Sequence, residues 1–205
     1  MSTRIAATDK TMRKQPKQTR SRATVDAIIE AGTQLLGQKG WAKFTTNEVA
    51  DAACVSIGSL YQYFPNKLSL VEAIRRRHFD DVLDVVHNVS GGERSLEENV
   101  DSLVQGMLAV HGSRPELHRA LLEEIPRSEG TRSAHDDFES EYLRHYQVMI
   151  SRHCKRRRSK RDEVAALVLS AAVEGVVHSA ALKGLLDSPE LKRELVALVY
   201  AYVRG

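Results

Sequence analysis

Thr45–Lys67 reads TTNEVADAACVSIGSLYQYFPNK and contains two short helical patterns separated by a break near Cys54. The second pattern covers about Ile57 to Tyr63. An isolated helix needs roughly 12–15 residues to be even marginally stable in water, so this one must be held by its neighbours. A short helix supported in this way is typical of a helix-turn-helix, in which the second helix enters the major groove of DNA.

Capping and packing residues support the two-helix interpretation. Thr46 is predicted to cap the first helix through its hydroxyl, and Glu48 lies near the positive end of the helix dipole. Ser56 is the predicted cap of the second helix. Three apolar side chains are expected to hold the second helix in place: Val55, Leu60 and Phe64.

The remaining side chains of the second helix suit contact with DNA. Gly58 and Ser59 keep its first turn narrow, so that the backbone can approach a groove closely. Asn66 is predicted to cap the following helix, and Lys67 presents a cation beside the aromatic pair. Three side chains are predicted to project outward and to reach phosphates or base edges: Tyr61, Gln62 and Tyr63.

The motif VSIGSLYQYFPNK, preceded by FTTNEVADAA, resembles the DNA-binding domain of TetR-family (tetracycline-repressor-like) transcriptional regulators. The resemblance extends from Arg20 to about Leu70. Cys54 departs from it, because glycine is common at this turn; a left-handed conformation here would cost roughly 1–2 kcal/mol. Ile57 also departs from it, since a basic or polar residue is frequent there, and its side chain suits contact with a thymine methyl group.

The resemblance implies an all-α protein with an N-terminal three-helix DNA-binding domain and a C-terminal helical ligand-binding and dimerisation domain. The expected divisions are a disordered basic arm at 1–19, the helix-turn-helix domain at 20–66 and the regulatory domain at 67–205. Residues expected on phosphates are Thr46, Tyr61 and Lys67. Residues expected to face or flank base edges are Ile57, Gly58, Ser59, Gln62 and Tyr63.

The predicted function is a sequence-specific regulator that binds a double-stranded DNA operator. A repressor released by a small molecule is favoured over an activator, because repression needs only occupancy of a promoter. Activation needs a contact with the polymerase, for which the sequence shows no signature.

The distribution of charge agrees with this function. Residues 1–68 contain ten Lys/Arg and five Asp/Glu, whereas residues 69–205 contain twenty Lys/Arg and twenty-two Asp/Glu. The basic excess therefore accompanies the motif, where attraction to phosphates is needed. Five residues are candidates for a basic arm along DNA, with a solvated tail as the alternative: Arg13, Lys14, Lys17, Arg20 and Arg22.

Cysteine use and hydropathy predict a cytoplasmic protein. Cys54 and Cys154 are far apart and indicate no disulfide framework. The longest apolar run, from Val164 to Val173, is bounded by Glu163 and Glu174, so no membrane span is expected. The start of the chain lacks the apolar stretch of a signal peptide.

Apolar spacing predicts further helices along the chain. Trp41 and Phe44 are expected to fill the core between the first two helices. The basic run Lys155–Arg161, which follows the helix predicted to end at Cys154, is interpreted as a solvated connection between helices rather than a second DNA contact. The other expected helices cover about 21–38, 66–88, 96–111, 115–125, 134–154, 162–186 and 189–203, with a polar loop at 126–133.

The last two predicted helices indicate a homodimer. Residues 162–186 are apolar nearly all round, and such a helix needs cover on more than one face. An intermolecular four-helix bundle would supply it; closure of an intramolecular core is the alternative. Helix-turn-helix dimers set their recognition helices about 34–36 Å apart, so dimerisation and DNA recognition are linked.

The resemblance also implies a small-molecule cavity in the C-terminal helices. Glu174 and His178 fall one turn apart on an otherwise apolar helix, which suggests a satisfied hydrogen bond at an interface or, as the alternative, ligand recognition. Aromatic and methionine residues such as the other candidates more often pack in a core than line a pocket. The candidate lining residues are Met107, His111, Phe138, Tyr142, Tyr146, Met149, Glu174 and His178.

No pattern indicates an enzyme, a metal site or a cofactor. None of the eight histidines forms H-E-x-x-H, and no C-x-x-C occurs. Glu123 and Glu124 are consecutive, so their carboxylates point to different faces of a helix. A helical protein–protein adaptor is the remaining class; it would explain the C-terminal helices but not Tyr61, Gln62 and Lys67 beside a basic arm.

Overall fold

The helical content of the chain is seen in a computed structural model that describes residues 12–13, 18–91, 94–121, 125, 129–153 and 160–205. Within these residues the structure contains nine helices and no β-strand, which confirms the predicted all-α fold. The helices are α1 (Thr19–Lys43), α2 (Thr46–Ala52), α3 (Ile57–Tyr63), α4 (Lys67–Ser90), α5 (Leu96–Gly112), α6 (Pro115–Arg119), α7 (Glu129–His153), α8 (Lys160–Leu182) and α9 (Pro189–Arg204).

The chain forms two compact units. Unit 1 consists of Met1–His78 and Glu116–Ser133, and unit 2 consists of Phe79–Pro115 and Ala134–Gly205. This grouping differs from the predicted division after residue 66, because the start of α4 and a later segment of the chain both belong to unit 1. Sequence order alone does not reveal such a return of the chain.

Unit 1 is built on one apolar face of α1. Val25, Ile28 and Leu36 recur at helical spacing and are buried, as predicted. Phe44 is fully buried and Trp41 is partly buried against the same core. The core is completed by Val49, Leu60, Phe64, Leu70, Val71, Ile74, Leu117, Leu121 and Ile125.

Several helix ends differ from the predicted ones. The helical segment α1 continues to Lys43, with a break at Gly40, whose φ of 70° lies in the left-handed region. Helix α8 ends at Leu182 because Gly184 has a φ of 65° and the Leu185 N–H donates to the Ala180 carbonyl at 2.9 Å. The polar loop expected at 126–133 is wrong from Glu129 onward, since α7 begins there; several polar residue types are compatible with a helix.

Unit 2 is a bundle in which α5 packs against α8 and α9. Ser95 and Glu98 form the predicted capping box at the start of α5. Gly106 allows α5 to approach α4 closely, because a Cβ there would lie 2.6 Å from Val85 Cγ1. The unit 2 core includes Val86, Val100, Leu103, Met107, Tyr142, Tyr146, Met149, Leu169, Val173, Val177, Leu195 and Val199.

One helix in the described part of the chain is long and apolar enough to cross a membrane. This is Asp162–Leu182, with a mean hydropathy of 1.7, and 33% of it is buried in the structure. Core helices of helical bundles share this length and composition. The predicted absence of a span therefore depends on what covers the exposed part of α8.

Candidate functional site

The first helix of the predicted motif is capped one residue earlier than expected. Thr45 is the cap of α2, because its hydroxyl accepts from the Glu48 N–H at 3.4 Å. The predicted capping role of Thr46 is therefore wrong, and Thr46 is the first helical residue. The spacing of Thr45 and Glu48, three residues apart, is the capping-box spacing and could have identified the cap from sequence.

The turn between α2 and α3 contains a residue in the left-handed conformation, at the position where the family commonly has glycine. Cys54 has a φ of 53°, and its side chain is an exposed free thiol. The turn is closed by the Val55 N–H, which donates to the Ala50 carbonyl at 2.9 Å. The left-handed cysteine costs roughly 1–2 kcal/mol, which the surrounding hydrogen bonds must offset.

Packing holds α3 as predicted. The Ser56 hydroxyl accepts from the Ser59 N–H at 3.1 Å and caps the helix. Leu60 and Phe64 are completely buried in the unit 1 core, and Val55 packs against it. The seven-residue helix is therefore stabilised by tertiary contacts rather than by its own length.

The opposite side of α3, called here the outer face, consists of Ile57, Gly58, Tyr61 and Gln62. Ile57 is 37% exposed and Tyr61 41% exposed, and Gly58 and Gln62 are also exposed. A Cβ built at Gly58 would meet only Ser56 Oγ, at 3.9 Å, so internal packing does not require a glycine there. The absence of a side chain leaves the backbone open to an approaching molecule.

Two predicted base-facing residues lie differently. Tyr63 was expected to project outward, but it is only 9% exposed and belongs to the unit 1 core, three residues after Leu60 on the same face. That expectation is wrong. Ser59 is half-buried, and its hydroxyl lies 2.8 Å from the Ser56 hydroxyl within the cap.

The three residues predicted to contact phosphates make hydrogen bonds within the protein. The Thr46 hydroxyl lies 3.0 Å from the Tyr61 hydroxyl, and Thr46 itself is mostly covered. The Lys67 ammonium donates to the Trp41 carbonyl at 2.6 Å and lies 3.9 Å from the centre of the Trp41 ring. Burial lowers the pKa of Lys67. Tyr61 is therefore oriented by Thr46, and Lys67 helps to fix the start of α4.

A short segment before α1 is attached to the end of α3. The Arg13 N–H donates to the Tyr63 carbonyl at 2.9 Å, and Met12 packs against the unit 1 core. The Arg13 side chain is exposed. Of the basic-arm residues, Lys14 and Lys17 lie outside the described part of the chain.

All eight predicted ligand-binding residues lie in unit 2. Five are buried: Met107, His111, Tyr142, Tyr146 and Met149. Phe138, Glu174 and His178 are half-buried. The structure brings Phe138 against Tyr142 and the His111 ring within 5.6 Å of His178, measured between ring centres.

The polar atoms in this group are shielded from water. The Tyr142 and Tyr146 hydroxyls lie 3.2 Å apart, and Tyr142 also hydrogen-bonds Glu174. Burial raises the pKa of Glu174, although the hydrogen bond from Tyr142 opposes that shift. Burial lowers the pKa of His111 to about 4 and also lowers that of His178, so both imidazoles are neutral near pH 7.

Comparisons with known proteins agree with this geometry. The family model described as bacterial regulatory proteins, tetR family, matches residues 28–74, and the model of a tetracyclin repressor-like C-terminal domain matches residues 95–202. The uncharacterised HTH-type transcriptional regulator YvkB of Bacillus subtilis is 36% identical over 70 residues, covering 34% of this chain and 37% of YvkB. The HTH-type transcriptional repressor KstR2 of Rhodococcus jostii is 28% identical over 90 residues, covering 42% of this chain and 44% of KstR2.

The sequence matches thus span less than half the length of these two relatives, whereas the structural similarity covers most of the chain. The transcriptional regulator FadR from Bacillus subtilis, solved in complex with stearoyl-CoA, superposes with a TM-score of 0.71 at 14% identity, over 86% of this chain and 98% of FadR. At that identity the similarity shows the fold alone. These matches indicate no enzymatic family and confirm the resemblance drawn from Thr45–Lys67: the chain belongs to the TetR family of bacterial DNA-binding transcriptional regulators.

Proposed function

We propose that this protein is a dimeric repressor that binds an operator through the outer face of α3 and is released by a small molecule bound in unit 2. The observation that carries the proposal is the two-sided character of α3. Leu60 and Phe64 fix the helix from one side, while Ile57, Tyr61 and Gln62 remain exposed on the other. A rigid helix that exposes both polar and apolar side chains suits recognition of base edges and thymine methyl groups.

A repressor is favoured because it needs no surface beyond the one that binds DNA. The relative KstR2, whose name describes a transcriptional repressor, also supports this choice. The buried polar group around Glu174 supports an effector site in unit 2, as does the ligand complex of the structural neighbour FadR. A regulator of this kind acts in the bacterial cytoplasm.

A salt titration on a selected duplex tests DNA binding. The full chain is first offered a randomised duplex pool, and the affinity for the recovered sequence is measured at increasing salt. We expect log affinity to fall linearly with log salt, by about 0.9 for each phosphate neutralised. Failure to enrich any sequence at low salt would exclude the proposed function.

Gln62→Ala is expected to relax the sequence preference at one base position of the operator. Loss of a bidentate contact to a base edge should reduce discrimination there by about 1–3 kcal/mol. The measurement is a repeat of the selection with the variant. Gln38→Ala makes the same chemical change on an exposed part of α1 and should leave the preference profile intact. An unchanged profile for Gln62→Ala would remove Gln62 from the recognition surface.

We further propose that Arg13 contacts a DNA phosphate or the minor groove beside α3. Arg13→Ala keeps the backbone N–H that bonds to Tyr63, so only the charge is removed. All duplexes should bind more weakly, and the salt dependence should fall by about 0.9 in log–log slope. Arg204→Ala, in unit 2, serves as the charge control. An unchanged slope would assign Arg13 to the solvated tail.

Dimerisation is proposed through one exposed stripe of α8 and the adjoining face of α9. Exposed positions on α8 recur every three or four residues, and a Cβ built at Gly175 meets nothing within 4 Å. Such a flat apolar stripe allows a second helix to approach closely. The large apolar side chains exposed on these helices are Val164, Leu167, Val168, Leu182, Leu198 and Tyr202.

The same stripe explains the apolar composition of α8 without a membrane. Helix α8 packs against α5 and α9 on its other side, where it carries Ser170 and the half-buried Glu174 and His178. Polar groups of this kind are expensive in the hydrocarbon core of a bilayer. A second copy of the chain therefore explains the exposed apolar face of α8 better than a lipid bilayer does.

A further inference from the structure

The chemistry of unit 2 indicates which class of effector it accepts, and the starting point is a row of aromatic rings. Helix α7 places Phe138, Tyr142 and Tyr146 one turn apart on a single face. Their ring centres are separated by 5.3 Å and 5.0 Å in that order. Phe79 of α4 stacks on Phe138 at 4.2 Å, with the ring planes inclined by 14°. These four rings are called the aromatic row.

One end of the row is partly exposed. Phe79 and Phe138 are half-buried, whereas Tyr142 and Tyr146 are fully covered. A molecule entering beside Phe79 and Phe138 would therefore meet ring faces first and the tyrosine hydroxyls further inside.

A carboxylate without a cationic partner lies beside the row. Glu174 of α8 is hydrogen-bonded by Tyr142, and its electrostatic neighbours include Tyr146 and the acidic Glu139. In the part of the chain that the structure describes, no lysine or arginine forms an ion pair with Glu174. Burial and the neighbouring Glu139 both raise the pKa of this carboxyl, and a cation bound beside it would stabilise the ionised form.

We propose that the effector is a hydrophobic organic cation, held between the faces of the aromatic row and the carboxylate of Glu174. The inference rests on the proposed function, in which a small molecule occupies unit 2. Ring faces attract cations through their quadrupole, and a desolvated carboxylate adds a direct charge partner. An anion placed at the same position would meet the electron-rich ring faces, Glu174 and Glu139. The site therefore selects by the sign of the charge.

Two ions of the same size and shape test the inference directly. Tetraphenylphosphonium and tetraphenylborate differ in charge sign, and the binding of each to the full-length protein is measured by titration calorimetry. The cation should bind at least about 10-fold more tightly than the anion. Equal affinities, a preference for the anion, or no binding of the cation would overturn the inference.

Variants locate the interaction within unit 2. Glu174→Gln is nearly isosteric and should weaken binding of tetraphenylphosphonium at least about 10-fold. Phe138→Leu removes one half-buried ring but keeps an apolar side chain. It should weaken the binding of tetraphenylphosphonium several-fold. Glu163→Gln, an exposed position on the same helix, is the matched control and should leave the affinity unchanged. Cation binding that survives both site substitutions would place it elsewhere and contradict the inference.

Binding of the selected duplex is measured in parallel, so that the two proposals can fail separately. A chain that binds DNA but does not discriminate between the two ions contradicts only the cation site. A chain that discriminates between the ions but binds no duplex contradicts only the proposed function.

Discussion

Val168→Glu is expected to convert the proposed dimer into monomers and to abolish tight operator binding. The side chain is exposed in the single chain and lies in the apolar stripe of α8. A glutamate there would be buried against an apolar surface without a partner, which a helix–helix interface does not tolerate. Loss of the second recognition helix removes the gain from bivalent binding, which is typically about 10²–10⁴ in affinity.

Analytical ultracentrifugation and operator titration measure the two consequences on one sample. Gln105→Glu adds the same charge on an exposed part of α5, where no interface is proposed. This control should remain dimeric and bind DNA normally. A dimeric Val168→Glu variant with full DNA affinity would show that the stripe is not the interface.

Phe64→Ala is expected to unfold unit 1 or leave it barely stable. Phe64 is completely buried, and its N–H closes α3 by donating to the Leu60 carbonyl at 2.9 Å. Truncation of a buried phenylalanine typically costs about 3–5 kcal/mol. Since a whole domain is stable by only about 5–15 kcal/mol, the variant should also lose its DNA binding.

Trp41 allows unit 1 to be followed alone, because it is the single tryptophan of the chain. Urea unfolding monitored by its fluorescence should show a midpoint far below that of the unmodified protein. Gln62→Ala, an exposed change on the same helix, should shift the free energy of unfolding by less than about 0.5 kcal/mol. A loss below about 1 kcal/mol for Phe64→Ala would contradict the role of core packing in holding α3.

The helix-turn-helix could be predicted almost completely because its signals are local. Ser56 and Ser95 cap helices as expected, since a cap depends on residues within one turn. The periodic apolar face of α1 was equally clear. The predicted cap of α2 was wrong because two threonines are adjacent: Thr45 rather than Thr46 caps the helix. The predicted end of α8 was too late, because Gly184 has a left-handed backbone conformation.

The direction of Tyr63 could not be predicted in this way. A seven-residue helix has only two turns, so the face that is buried depends on where the rest of unit 1 packs. Arg13 likewise meets the end of α3 through a contact between residues 50 positions apart in sequence. Local periodicity carries no information about such contacts.

By itself, the sequence determined the all-α fold, the family and the stretch proposed to bind DNA, because caps, turns and apolar spacing act within a few residues. Tertiary structure decided which side of α3 is exposed and which rings lie beside Glu174. It also decided that residues 116–133 belong with the N-terminal helices. The physical reason is that burial is assigned by distant partners, and a side chain's chemistry depends on what shields it from water.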